Sequence, residues 1–132
     1  MTEPLHRNAA VILHGAEALE ELRSACRSLI YATLITDDGF EVSGLVGTQH
    51  NRMASMASSM QALGDAVARE LNIGTSEYII IASELGHVIQ LRIPGQPLVL
   101  SALFGTEETL GKALSTARSS ASRVSEVLIG IH

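Results

Sequence analysis

A chain of 132 residues has the length of one domain, enough to bury roughly two-thirds of its unfolded surface. Apolar residues make up 46% and charged residues 17%, and Tyr31, Phe40, Tyr78 and Phe104 are the only aromatics, so the core must be aliphatic. A net charge of −5, with basic residues scattered singly, argues against a nucleic-acid partner. The single cysteine, Cys26, excludes an internal disulfide and fits a reducing compartment. No signal peptide is evident and no run approaches the ~18 apolar residues of a membrane span, so the expectation is a cytoplasmic protein without membrane insertion.

The first segment, from about Asn8 to Leu29, has helical spacing: Ile12, Leu19, Leu22, Cys26 and Leu29 share a face. Gly15 weakens its middle, so the firm helix is expected from about Ala16, with residues 1–15 as an extension, partly disordered or helical, before a domain spanning 16–132. Cys26, on the apolar stripe, reads as an inert core thiol. Ile30–Thr36 is rich in β-branched residues and is followed by Asp37-Asp38-Gly39 and a second β-prone run from Phe40 to Val46. Asp-Gly between two such runs is a hairpin signal. Asp37 and Asp38 have no third ligand at metal spacing, so turn chemistry is the reading.

After a polar loop at 47–51, a helix is expected over Arg52–Leu71. Met53, Met56, Met60, Leu63, Val67 and Leu71 form one stripe, assigned to the core. Ser55, Ser59, Ala62 and Ala66 form a second line of small residues where a solvated face would carry Lys and Glu, which suggests a helix–helix contact. Gly74 is available for a left-handed cap. Three short strands follow, Glu77–Ala82, Val88–Ile93 and Leu98–Leu103, joined by turns too short for anything but antiparallel hairpins. Tyr78-Ile79-Ile80-Ile81-Ala82 is apolar on both faces, which requires burial on both faces or a subunit interface. Thr106 is expected to cap a last helix, with Glu107 and Glu108 in its first turn and Leu110, Ala113, Leu114, Ala117, Ala121, Val124 and Leu128 as its buried stripe. The whole is a mixed α/β (α+β) domain of order α-β-β-α-β-β-β-α, with one five-stranded antiparallel sheet and three helices.

No catalytic pattern holds up along the chain. There is no phosphate-binding Gly-x-x-x-x-Gly-Lys-Ser/Thr and no Gly-x-Ser-x-Gly elbow. His6, His14, His50, His87 and His132 lack the spacing of zinc ligands, so no metal or cofactor is expected.

The element order, with Ala32-Thr33-Leu34-Ile35-Thr36-Asp37-Asp38-Gly39, Met53-Ala54-Ser55-Met56-Ala57-Ser58-Ser59-Met60, Glu70-Leu71-Asn72-Ile73-Gly74 and the Gly105–Lys112 segment, resembles the roadblock/dynein light chain family over about residues 16–128. The resemblance implies a roadblock/profilin-like sandwich and a non-enzymatic homodimer, formed by joining third strands and pairing central helices. Its interface would then comprise Ser55, Ser59, Ala62 and Ala66 with Glu77, Tyr78, Ile79, Ile80 and Ile81. Family dimers commonly bind Ras-like small GTPases, and some bacterial members activate the GTPase's hydrolysis. Two other classes stay open: a small-molecule sensor of the profilin/PAS type, which needs an interior pocket, and a small enzyme using Asp38 or His87.

Overall fold

Asn8 starts the first helix: its side-chain carbonyl accepts from the Ala10 and Val11 amides at 3.0 and 3.2 Å, satisfying donors that have no partner within the helix. The computed structural model describes residues 3–45 and 50–129. From this cap α1 runs over Ala9–Ala25 without a break, so the firm helix begins well before the Ala16 start expected from sequence. Gly15 does not weaken it. It is buried where α1 crosses the sheet, and a Cβ there would lie 2.8 Å from Ser43 Oγ and 2.9 Å from Leu34 Cδ2. Ser43 Oγ in turn donates to the Ile12 carbonyl at 2.8 Å. The glycine is therefore a close-approach residue. Gly15→Val is expected to cost about 1–3 kcal/mol through overpacking, read as a lower midpoint in chemical denaturation with an unchanged slope.

The strands are β1 (Leu29–Thr36), β2 (Glu41–Gly44), β3 (Tyr78–Ser83), β4 (Gly86–Arg92) and β5 (Leu98–Phe104), and the remaining helices are α2 (His50–Glu70) and α3 (Leu110–Ile129). The sheet order is β2-β1-β5-β4-β3, with every neighbour antiparallel. This is the five-stranded, three-helix α/β architecture anticipated above. The turns follow their chemistry. Gly39 sits at φ 93° in the β1–β2 turn, where the Phe40 amide donates to Thr36 Oγ1 at 3.0 Å and Thr36 Oγ1 donates to Asp38. Pro94-Gly95 supplies the fixed and the positive φ of the β4–β5 turn. The Gly47 loop position and His132 lie outside the described residues.

Three helix ends differ from expectation: α1 stops at Ala25, so Leu29, read as part of the helical stripe, opens β1 instead. At the end of α2 the left-handed cap is Asn72 (φ 56°), with Ile73 N–H reaching Ala68 O at 3.0 Å and Asn72 N–H reaching Arg69 O at 3.1 Å. That is a Schellman motif built on asparagine, two residues before Gly74. At the start of α3 the capping hydroxyl belongs to Thr109, which accepts from the Lys112 amide at 3.2 Å. Thr106 lies in the preceding turn, and Glu107 and Glu108 are outside the helix.

α1 and α3 cover one face of the sheet and α2 the other. On the first face Leu19, Leu22, Leu34, Ile89, Leu98, Leu100, Phe104 and the α3 stripe from Ala113 to Leu128 form the main core. Ala113, Ala117, Ala121, Val124 and Leu128 of the α3 stripe are buried as its periodicity predicts, while Leu110 and Leu114 are partly buried against the core. The second face is much thinner: Ile35 and Val99 pack against Ala54 and Ala57 of α2. That asymmetry leaves the α2 side of the sheet as the candidate functional surface.

Candidate interaction surface

On α2 the side facing the sheet consists of Ala54, Ala57, Gln61 and Ala68, all buried. Small residues let the helix lie close to the strands, and Gly64 goes furthest: a Cβ there would meet Ile79 Cδ1 of β3 at 2.8 Å. The consequence reverses one expectation. The apolar stripe assigned to the core points outward instead, with Met56 at 49% exposure, Leu63 at 65% and Val67 at 47%. Leu71 is also exposed, and Met53 and Met60 are half-buried. Periodicity located the stripe correctly but could not say which of two adjacent faces meets the sheet. The cue was the line of alanines beside it.

β3 completes this surface. As an edge strand it leaves one row of backbone N–H and C=O groups unpaired in the single chain. Its partner β4 pairs Ile79 with Gln90 and Ile81 with Val88, and Gln90 Nε2 bonds to α2, which places Ile79 and Ile81 on the α2 side. Tyr78 and Ile81 are exposed and Ile79 and Ile80 half-buried. The apolar pattern of this strand is therefore not matched by burial on both faces within one chain. Between α2 and β3 runs an open groove of about 590 Å³, lined by Met60, Leu63, Gly64, Val67, Ile73, Tyr78, Ile79 and Ile81 among others. Most exposed large apolar side chains among the described residues, including Met56, Leu63, Val67, Leu71, Ile73, Tyr78, Ile81 and Leu85, belong to this region or its flanks. Contiguous exposed apolar side chains of this kind make this region the candidate interaction surface.

The residues singled out from sequence fall on or beside it. Ser55, Ser59 and Ala62 are exposed and Ala66 half-buried, forming a strip next to the apolar stripe on α2. Glu77 is exposed just before β3. Sequence reasoning missed Met56, Met60, Leu63 and Val67 as members of this face.

The other sheet edge is different in kind. β2 is four residues long, and its Glu41 carboxylate accepts hydrogen bonds from Thr33 Oγ1 at 3.0 Å and Tyr31 Oη at 3.3 Å. A short strand with a charge on it is a blunted edge. The β3 edge lacks that protection.

Titratable groups offer little chemistry. No group of three or more His, Cys, Asp or Glu side chains among the described residues could hold a metal. Asp38 is engaged in its own turn, and Asp37 pairs with Arg92 at 2.8 Å. Cys26 is fully buried; its thiol donates to Glu108 Oε2 at 3.2 Å and lies 3.5 Å from Ser28 Oγ. Burial pushes the thiol above its ordinary value near 9, and the neighbouring carboxylate adds to the rise. Glu108 is held below the usual carboxylate value, first by the Cys26 hydrogen bond and then by Lys112, whose Nζ lies 3.2 Å away. Cys26 is thus expected to react with a thiol reagent at pH 8 at least ~100-fold more slowly in the folded protein than in denaturant. The folded state keeps the thiol proton longer than the unfolded chain. Its contribution is therefore constant below pH 9 and declines as pH rises past that value. For Glu108 the sign is opposite, stability being present above its ordinary 4.5 and lost as pH falls through the folded value.

No helix among the described residues is long and apolar enough to cross a membrane. No protein-family model matches the sequence, and no curated protein matches it. Solved structures do. The gliding protein MglB from Thermus thermophilus superposes with a TM-score of 0.83 over 98% of this chain and 99% of its own, at 18% identity. An MglB with a tetrameric arrangement gives 0.84 over 98% of each chain at 19% identity. A Roadblock/LC7 domain from Streptomyces avermitilis gives 0.78 over 86% of this chain and 97% of its own, at 18% identity. With nearly full-length superposition at these TM-scores, the chain has the roadblock/LC7 fold.

Proposed function

We propose that the chain is a non-enzymatic homodimeric adaptor that regulates a Ras-like small GTPase. The observation that carries the reading is the continuous apolar face of α2 and edge strand β3. A second copy related by a two-fold axis would pair β3 with β3, satisfy the free backbone row, and cover both groove and stripe. The MglB-like fold supports the regulatory half of the proposal, and the tetrameric arrangement of one MglB supports self-association. In the dimer the small-residue strip of Ser55, Ser59 and Ala62 adjoins the buried stripe and belongs to the contact or its margin.

The sensor alternative needs an enclosed pocket with a few polar groups. The hollows along α3 and between α2 and β3 are open surface grooves instead, and the main core is filled by packed, mostly aliphatic side chains.

The test is a pull-down from the source cell with the tagged protein, in GTP and in GDP, followed by mass spectrometry and by GTP hydrolysis assays on any GTPase recovered. A Ras-like GTPase held preferentially in one nucleotide state supports the proposal, and a change in its hydrolysis rate identifies activation over tethering. Recovery of no GTPase in either state contradicts it.

A further inference from the structure

Apart from the polar Gln61 and the close approach of Gly64 to Ile79, the sheet-facing side of α2 is a row of alanines. Ala54, Ala57 and Ala68 present methyl groups to the strands, and one alanine packs much like the next. Apolar packing of this kind resists separation of helix and sheet but sets their sliding register only weakly. Yet the interface proposed above has one half on α2 and the other on β3, so the two must be aligned along their lengths.

Two polar rungs supply that alignment. Gln90 and Arg92 are two residues apart on β4, on one face, ~6.6 Å apart along the strand. Gln61 and Asp65 are four apart on α2, ~6 Å along the helix axis. The spacings match, and the rungs form in parallel. Gln90 Nε2 donates to Gln61 Oε1 at 3.2 Å and to the Ala57 carbonyl at 2.9 Å, and Arg92 Nη2 meets Asp65 Oδ2 at 2.9 Å. Gln61 Nε2 joins the rungs by donating to Asp65 Oδ1 at 3.1 Å. The other guanidinium nitrogen, Arg92 Nη1, bonds Asp37 at 2.8 Å, extending the lock to the β1–β2 turn.

Sliding α2 by one turn in one direction would set Arg69 against Arg92. Sliding it the other way would set Gln61 against Arg92 and Ala57 against Gln90. Only the observed register pairs opposite charges. Gln90 Oε1 is buried without a hydrogen-bond partner, a desolvation cost that offsets what the rungs add to folding. The arrangement therefore specifies position more than it adds stability.

We infer that Gln61, Asp65, Gln90 and Arg92 are positioning residues that fix α2 against β4 and so align the α2 and β3 halves of the self-association face. This inference rests on the homodimer reading. Its test is the dimer dissociation constant of Asp65→Asn, Arg92→Gln and the double variant by sedimentation velocity, with hydrogen exchange of α2 on the same samples. Asp65→Asn is isosteric and keeps a partner for Gln61, so it stands in if Arg92→Gln fails to fold. Expected are about tenfold weaker dimerisation for each single variant, no further loss in the double, and faster exchange along α2. Dimerisation within twofold of the parent, or losses that multiply in the double, overturns the lock. If the parent itself is monomeric, the homodimer reading fails. The lock is then judged by α2 exchange alone, faster in the variants supporting it and unchanged exchange overturning it.

Discussion

Leu63→Arg is expected to yield a folded monomer. Leu63 is 65% exposed in the single chain and sits midway along α2, so arginine there removes little packing from the protomer and keeps good helix propensity. In the dimer the same position would be covered, and a guanidinium would be desolvated without a counter-charge. Breaking or burying an unpaired charge costs ~3–5 kcal/mol, which corresponds to a dissociation constant raised at least ~100-fold. Sedimentation velocity reads this directly, and far-UV circular dichroism checks the fold. Leu13→Arg is the control: Leu13 is comparably exposed but lies on α1, across the sheet from α2, and its substitution should leave the mass unchanged. A Leu63→Arg protein that dimerises as tightly as the parent would rule out this face.

Phe104→Ala is expected to have the largest effect on folding. Phe104 is the bulkiest of the fully buried side chains, at the end of β5 opposite Leu29 of β1 and His87 of β4. It belongs to the main core under α1 and α3, on the opposite side of the sheet from α2. Truncating a buried phenylalanine costs ~3–5 kcal/mol through lost transfer energy and the cavity left behind. A domain of this size holds ~5–15 kcal/mol in total, so the midpoint of thermal unfolding should fall by roughly 10–20 °C. A decrease of under ~3 °C by calorimetry would mean that the core repacks far better than its burial suggests.

The two substitutions separate what the sequence could and could not disclose. Strands with β-branched runs, the Asp-Asp-Gly and Pro-Gly turns and the α3 stripe were legible because their chemistry is local: a positive φ, a fixed φ, a 3.6-residue period. The start of α1 was not, since Gly15 lowers helix propensity and only the packed structure reveals that Ser43 and Leu34 leave no room for a side chain. Thr106 and Thr109 are both plausible caps by residue type, and the choice depends on where the last helix docks.

The surface was half legible. The apolar pattern of Tyr78–Ala82 pointed to burial on both faces or a subunit interface, and the exposure of β3 in the single chain excludes the first. On α2 two candidate faces lie side by side, the methionine–leucine stripe and the alanines. Hydrophobicity favours burying the larger residues against the sheet, but closeness of approach wins: Gly64 and the alanines let α2 sit directly on the strands, leaving the larger residues exposed. The Gln90 and Arg92 rungs were invisible in sequence, since their partners lie about 27–29 positions away on another element.

Everything proposed for this surface depends on a second copy covering β3 and the outer stripe of α2. Hydrogen exchange of the β3 amides, Tyr78–Ser83, measured in the wild-type protein below and above its dimerisation concentration, tests this most directly. The outward-facing amides of this strand, open to water in the single chain, are expected to become protected together with α2 as the protein associates. Protein that associates while those amides exchange as fast as in the dilute sample would contradict this and place the interface elsewhere.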